Sequence, residues 1–96
     1  MVSFKFKATA APDDIKKVET AFEALKKKIP LIASLEWGTN VSKEGKDKGF
    51  THCFLLTFKS EKDLESYISH PDHKAFGKIV GPVLDDVFVI DFWSKD

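Results

Sequence analysis

The run FTHCFLLTF, residues 50–58, is dense in strand-forming residues and apolar on both of its faces. Side chains alternate along a strand, so Phe54 and Leu56 point one way while Cys53, Leu55 and Thr57 point the other. A strand that is apolar on both faces needs cover on both. The rest of the chain has to supply it.

Upstream, LIASLEWGTNV (31–41) is also rich in strand formers, and the polar, glycine-containing SKEGKDKG (42–49) after it is a surface loop. At the N-terminus, Val2, Phe4 and Phe6 alternate with Ser3, Lys5 and Lys7, which predicts a strand with one buried face. Pro12 and Asp13 mark a helix start. Ile15, Val18, Phe22, Leu25 and Ile29 then recur at spacings of three and four, an apolar stripe on a first helix that ends before Pro30.

Downstream, Ser60 offers an N-cap with Asp63 three residues on, ahead of the apolar positions Leu64, Tyr67 and Ile68 of a second helix. Pro71 has no backbone N–H to donate, so it closes that helix and opens another running to about Val80. Gly81 and Pro82 stop the new helix, a short turn falls around Val83 and Leu84, and VFVIDFW (87–93) is a fourth strand. There Val87 and Val89 oppose Phe88, Ile90 and Phe92.

The element order is βαββαβ with a broken second helix. Two right-handed βαβ halves of this kind give an α+β, ferredoxin-like fold, with both helices on one face of a four-stranded antiparallel sheet. The other face stays bare and apolar. It is expected to pack on a second copy of the chain, two sheets closing into a dimeric α/β barrel.

Ninety-six residues are expected to form one domain, residues 1–96, burying roughly two-thirds of its unfolded surface. Fifteen basic residues balance fifteen acidic ones, so no net field draws the chain to nucleic acid or to an anionic membrane. Lys26, Lys27 and Lys28 suit the negative end of a helix dipole. No run has the length of a membrane span, no apolar leader precedes the first strand, and the compartment stays open. The single cysteine, Cys53, forms no internal disulfide and is expected to be a buried, inert thiol. Nine Phe and two Trp are a large aromatic complement for one small core, and suggest an interface or a ligand cavity besides.

The blocks FKFK, IP followed by EWGTNVS, GFTHCFLLTF, YISHPDHKAFG and VFVIDFW together resemble the stress-responsive dimeric α/β-barrel (Dabb) family along nearly the whole chain. Its members include plant stress proteins without assigned chemistry and a plant polyketide cyclase that performs an aldol condensation without metal or cofactor. The resemblance implies a cavity between sheet and helices faced by Tyr67 and His73. It also implies walls formed by Val2, Phe4, Val18, Phe22, Phe54, Leu56, Ile68, Phe76, Gly77, Leu84, Val87 and Val89. Two positions depart from the cyclase's pattern: Leu84 and Glu19 stand where it carries aromatics. A histidine common early in the family's first strand has no counterpart here.

The chemistry of these residues admits two readings. His73 shares a helical face with Phe76 and can serve as a general base near neutral pH, with Asp91 orienting its ring; the same pair can equally be a satisfied structural histidine. Tyr67 can polarise a carbonyl or simply pack in the core with its hydroxyl at the surface. His70, beside Pro71, is expected to cap the new helix, and His52, with the parity of Phe54, to be hydrogen-bonded beneath the helices. His70, Asp72 and His73 diverge around a helix, so no metal site is expected, and no cofactor either. The chain is expected to be either a cofactor-free lyase or cyclase acting on a small hydrophobic, carbonyl-bearing molecule, or a protective protein that holds such a molecule unchanged, with a cofactor-free monooxygenase of the related barrel families as a weaker third option.

Overall fold

The computed structural model describes residues 1–95. Strand β1 is Val2–Phe6, and helix α1 follows at Pro12–Lys28. Pro12 opens α1, with Asp13 and Asp14 in its first turn and Lys26 to Lys28 in its last, each charge matched to the dipole. Its apolar stripe buries Val18, Phe22 and Leu25, and Ile29 just beyond is fully enclosed. Strand β2 is Ser34–Thr39 and β3 is His52–Thr57, joined by a loop in which Gly45, Lys48 and Gly49 take positive φ. At Gly49 a Cβ would come within 2.8 Å of the Lys5 side chain.

Ser60 caps α2 (Glu61–Ile68), its hydroxyl accepting from the Asp63 N–H at 3.1 Å. Helix α3, Pro71–Val80, starts at the proline, where the Asp72 N–H donates to His70 Nδ1 at 3.1 Å. A 3-10 turn over Gly81–Val83 leads into β4, Leu84–Val89.

The strands run in the order β2-β3-β1-β4, every neighbouring pair antiparallel. This is the ferredoxin-like arrangement. Register puts Phe4 opposite both His52 and Val87, and Val2 opposite Phe54 and Val89, so these six residues share the helix-facing side. Phe4, Phe22, Phe54 and Phe76 meet there with Val18, Leu25, Ile29, Ile32, Tyr67 and Val80 to form the core. The opposite side exposes Leu55, Phe88 and Ile90 to solvent.

Three expectations are corrected. The fourth strand lies at 84–89 and not 87–93: Asp85 and Asp86 resemble a turn, but Asp86 pairs with Lys5 in the ladder, beside an irregularity in register at Lys5 and Phe6. The second strand is shorter than 31–41, because Ile32 is drawn into the core ahead of it. Cys53 is exposed, since it lies on the side of the sheet that no helix covers.

Candidate active site at the helix break

Tyr67 ends its stretch of α2 buried, and His73 sits in the first turn of α3. Pro71 forces the chain to turn between them, and the turn is tied by the His70 N–H donating to the Tyr67 carbonyl at 3.1 Å. The break brings the two side chains together. Their ring centroids are 4.5 Å apart at an interplanar angle of 46°.

His73 Nδ1 is 3.0 Å from the Ile68 carbonyl oxygen. A carbonyl can only accept, so Nδ1 carries the proton and Nε2 keeps its lone pair in the neutral ring. In that tautomer Nε2 is the nitrogen free to act as a base. The orienting group is thus the Ile68 backbone and not Asp91, which corrects the expected histidine–aspartate pair. A carbonyl freed at the end of α2 was already in reach, five residues back.

Asp91 acts on the tyrosine instead. Burial, and secondly the Asp91 carboxylate, push the Tyr67 hydroxyl up from 10.0 to about 12. Tyr67 is protonated at neutral pH even at its ordinary value, and the shift only extends that range upward, so its hydroxyl can donate a hydrogen bond. Asp91 also lies 3.7 Å from the Met1 ammonium.

The residues expected to wall a cavity divide into two groups. Phe22 stacks on Phe54 with centroids 4.0 Å apart and meets Phe76 edge-on at 4.9 Å, while Phe4 touches all three. These rings, with Val18, fill the space under α1, and Val2, Leu56 and Leu84 pack at their margin. Ile68, Val87 and Val89 are about half exposed, at 50%, 46% and 56%, and Gly77 faces open space. They are uncovered positions on β4 and beside the helix break.

His52 is the residue whose setting the sequence least reveals. It is buried against Trp37, whose ring lies parallel to its own, and Nε2 is 2.7 Å from Glu19 Oε2 on α1. Glu19 flanks the buried stripe residue Val18, and that adjacency is the only signal of the pairing in the sequence. Among the described residues no three His, Cys, Asp or Glu side chains gather as a metal site would need.

The family model described as the stress responsive A/B barrel domain matches residues 1–94. The chain belongs to this family. A stress-response A/B barrel domain-containing protein of Arabidopsis thaliana is 36% identical over 87 residues, 91% of this chain and 80% of its own. Olivetolic acid cyclase of Cannabis sativa is 30% identical over 67 residues, 70% of this chain and 66% of the cyclase. Hydroxynitrile lyase of Passiflora edulis superposes with a TM-score of 0.90 over 99% of this chain and 91% of the lyase, a likeness of fold at 22% identity. A Thermobifida fusca protein described as dimeric and ferredoxin-like superposes with a TM-score of 0.76 at 25% identity, over 91% of this chain and 80% of its own.

Proposed function

We propose that this stress-responsive barrel protein is a cofactor-independent enzyme of the lyase or cyclase type, acting on a small, apolar, carbonyl-bearing molecule. The observation that carries it is the Tyr67–His73 pair: a base with its free Nε2 set by the Ile68 carbonyl, beside a phenol held protonated. Nε2 takes a proton from the carbon next to the carbonyl while the Tyr67 hydroxyl donates to the carbonyl oxygen, where negative charge develops. The enolate then attacks a second carbonyl within the substrate, and the proton returns from His73 to the new alkoxide. Read backwards, the same groups cleave a hydroxy-substituted carbon–carbon bond. Ile68, Val87 and Val89 give the apolar body of the substrate a surface to rest on. The relationship to a cyclase supports the reaction class.

The protein works as a homodimer through the helix-free face of the sheet. Leu55, Phe88 and Ile90 lie exposed on that side, an apolar surface that a second copy would cover, and three family-fold neighbours are described as dimeric. The test of the activity is deuterium wash-in from heavy water into apolar methyl ketones. Exchange lost in His73→Ala, with the dimer intact by sedimentation, supports the reading; exchange equal to wild type overturns it.

A second reading rests on the aromatic packing. Because Phe4, Phe22, Phe54 and Phe76 occupy the space under α1, a protein that only holds an apolar ligand against β4 needs no base. Binding that survives His73→Ala without any exchange in wild type favours this alternative.

A further inference from the structure

Strand β4 has β1 as its neighbour, and β1 begins at Val2, opposite Val89, so the chain beyond Val89 has little sheet left to lie on. Ile90 still pairs with Met1: its N–H donates to the Met1 carbonyl at 3.1 Å, and its carbonyl accepts from the Met1 ammonium at 2.9 Å. Asp91 and Trp93 then turn toward the helices. The Asp91 carboxylate comes within electrostatic reach of the Tyr67 hydroxyl, and the Trp93 indole N–H donates to Glu61 Oε1, in the first turn of α2, at 2.7 Å. The segment thus crosses from the edge of the sheet to the start of the helix that carries Tyr67.

The spacing suits a tie of this kind. Glu61 and Tyr67 lie six residues apart on α2, about 9 Å along its axis. Asp91 precedes Trp93 by two residues, about 7 Å along an extended chain. Anchoring Trp93 at Glu61 therefore lays Asp91 beside the Tyr67 end of the helix. Trp93 is about half exposed, so the indole bond to Glu61 is a main constraint on where its ring lies. A carboxylate accepting from an N–H makes a charge-assisted bond, strong enough to hold a segment outside the sheet. It can also break and re-form by local motion without unfolding the domain.

We infer that residues 90–93 form a strap latched by the Trp93–Glu61 bond, and that Trp93 is a positioning residue of the Tyr67–His73 site, holding Asp91 at the phenol and water away from it. With the latch closed, Tyr67 is dry and faces Asp91. With it open, the strap swings off, Asp91 leaves, and the phenol is hydrated. A substrate enters past the open strap and is shut in when the latch re-forms. The inference rests on the reading of Tyr67 and His73 as the site, but its test does not depend on turnover.

The experiment follows tyrosinate absorbance of the intact protein from pH 10 to 12 in wild type, Glu61→Ala, Glu61→Gln and Trp93→Phe, with circular dichroism at each pH to show that the domain is folded. Tyr67 is the single tyrosine, so the signal is its own. The two Glu61 variants carry the same charge and differ in the acceptor, since the Gln amide oxygen can still take the indole N–H. Burial and Asp91 both raise the hydroxyl, and both weaken when the strap opens. The inference therefore expects Glu61→Ala and Trp93→Phe to bring the transition down from about 12 toward 10, and Glu61→Gln to keep it near that of wild type. A transition unmoved in both Glu61→Ala and Trp93→Phe, or lowered equally by Glu61→Ala and Glu61→Gln, overturns the inference. Absorbance reports the strap whether or not ketone protons exchange, so failure of the strap and failure of the proposed chemistry are told apart.

Discussion

The Tyr67 and His73 rings stand 4.5 Å apart although they belong to different helices, and the proline between those helices is what allows it. Had α2 continued unbroken, residues six apart would point about 120° away from each other around the axis and about 9 Å apart along it. Pro71 turns a one-face helix into a two-sided clamp. Restoring a continuous helix should separate the pair. Replacing Pro71 by Ala is expected to lower exchange of ketone protons while leaving the fold intact, which wash-in and circular dichroism would measure together.

Tyr67 is the only tyrosine in the chain, so its ionisation can be followed directly by ultraviolet absorbance. Its hydroxyl, raised to about 12, should show no tyrosinate at pH 10, and Asp91→Asn should bring the transition lower. The sign for stability follows from linkage. The unfolded tyrosine loses its proton near 10 and the folded one near 12, so this group's stabilising contribution is complete below pH 10 and is lost as pH rises through 12. The loss is on the order of 2 kcal/mol. Urea melts of wild type and Tyr67→Phe should diverge over that window alone.

Phe22 and Phe54 stack within 4.0 Å and are both nearly inaccessible. Either one changed to Ala should cost about 3 to 5 kcal/mol, a large part of the stability of a chain this size. Chemical denaturation gives the value. A loss below about 1 kcal/mol would mean that the rings do not form the centre of the core.

Ser60 accepts from the Asp63 N–H and starts α2. Ser60→Ala is expected to cost about 1 kcal/mol. Its effect on the Tyr67–His73 site should be small, because the helix break is seven residues and more away along α2.

Dimer formation has its own test. Charge placed in the bare sheet face, as in Leu55→Lys, should give monomers in sedimentation without unfolding them, since Leu55 points away from the core. A dimer unchanged by that substitution would place the contact elsewhere.

The elements were legible wherever a local signal was strong. The stripe from Val18 to Ile29, the Ser60 cap, and the helix opened by Pro71 and closed near Val80 all stand where the pattern put them. The resemblance implies that Tyr67 and His73 face a cavity, but no local pattern says that their rings lie 4.5 Å apart. What local pattern could not supply was pairing across distance. The pattern turns around Val83 and Leu84 and starts the strand at Val87, because nothing nearby reveals that β1 pairs with Leu84 and Asp86. Glu19 and His52 are 33 positions apart, and only the docking of α1 on the sheet makes them partners. Parity placed Cys53 opposite Phe54, yet its exposure depends on which side the helices choose. The Ile68 carbonyl at His73 Nδ1 could not be read in advance, because a backbone carbonyl, present at every residue, leaves no mark in a sequence.

The most direct measurement is the rate of deuterium wash-in to an apolar methyl ketone by wild type and by His73→Ala, each checked as a folded dimer. General-base catalysis at His73 predicts a fall of roughly 10²- to 10⁴-fold in the variant. Equal exchange by the two proteins would contradict it, and would leave the Tyr67–His73 pair a structural device of the helix break.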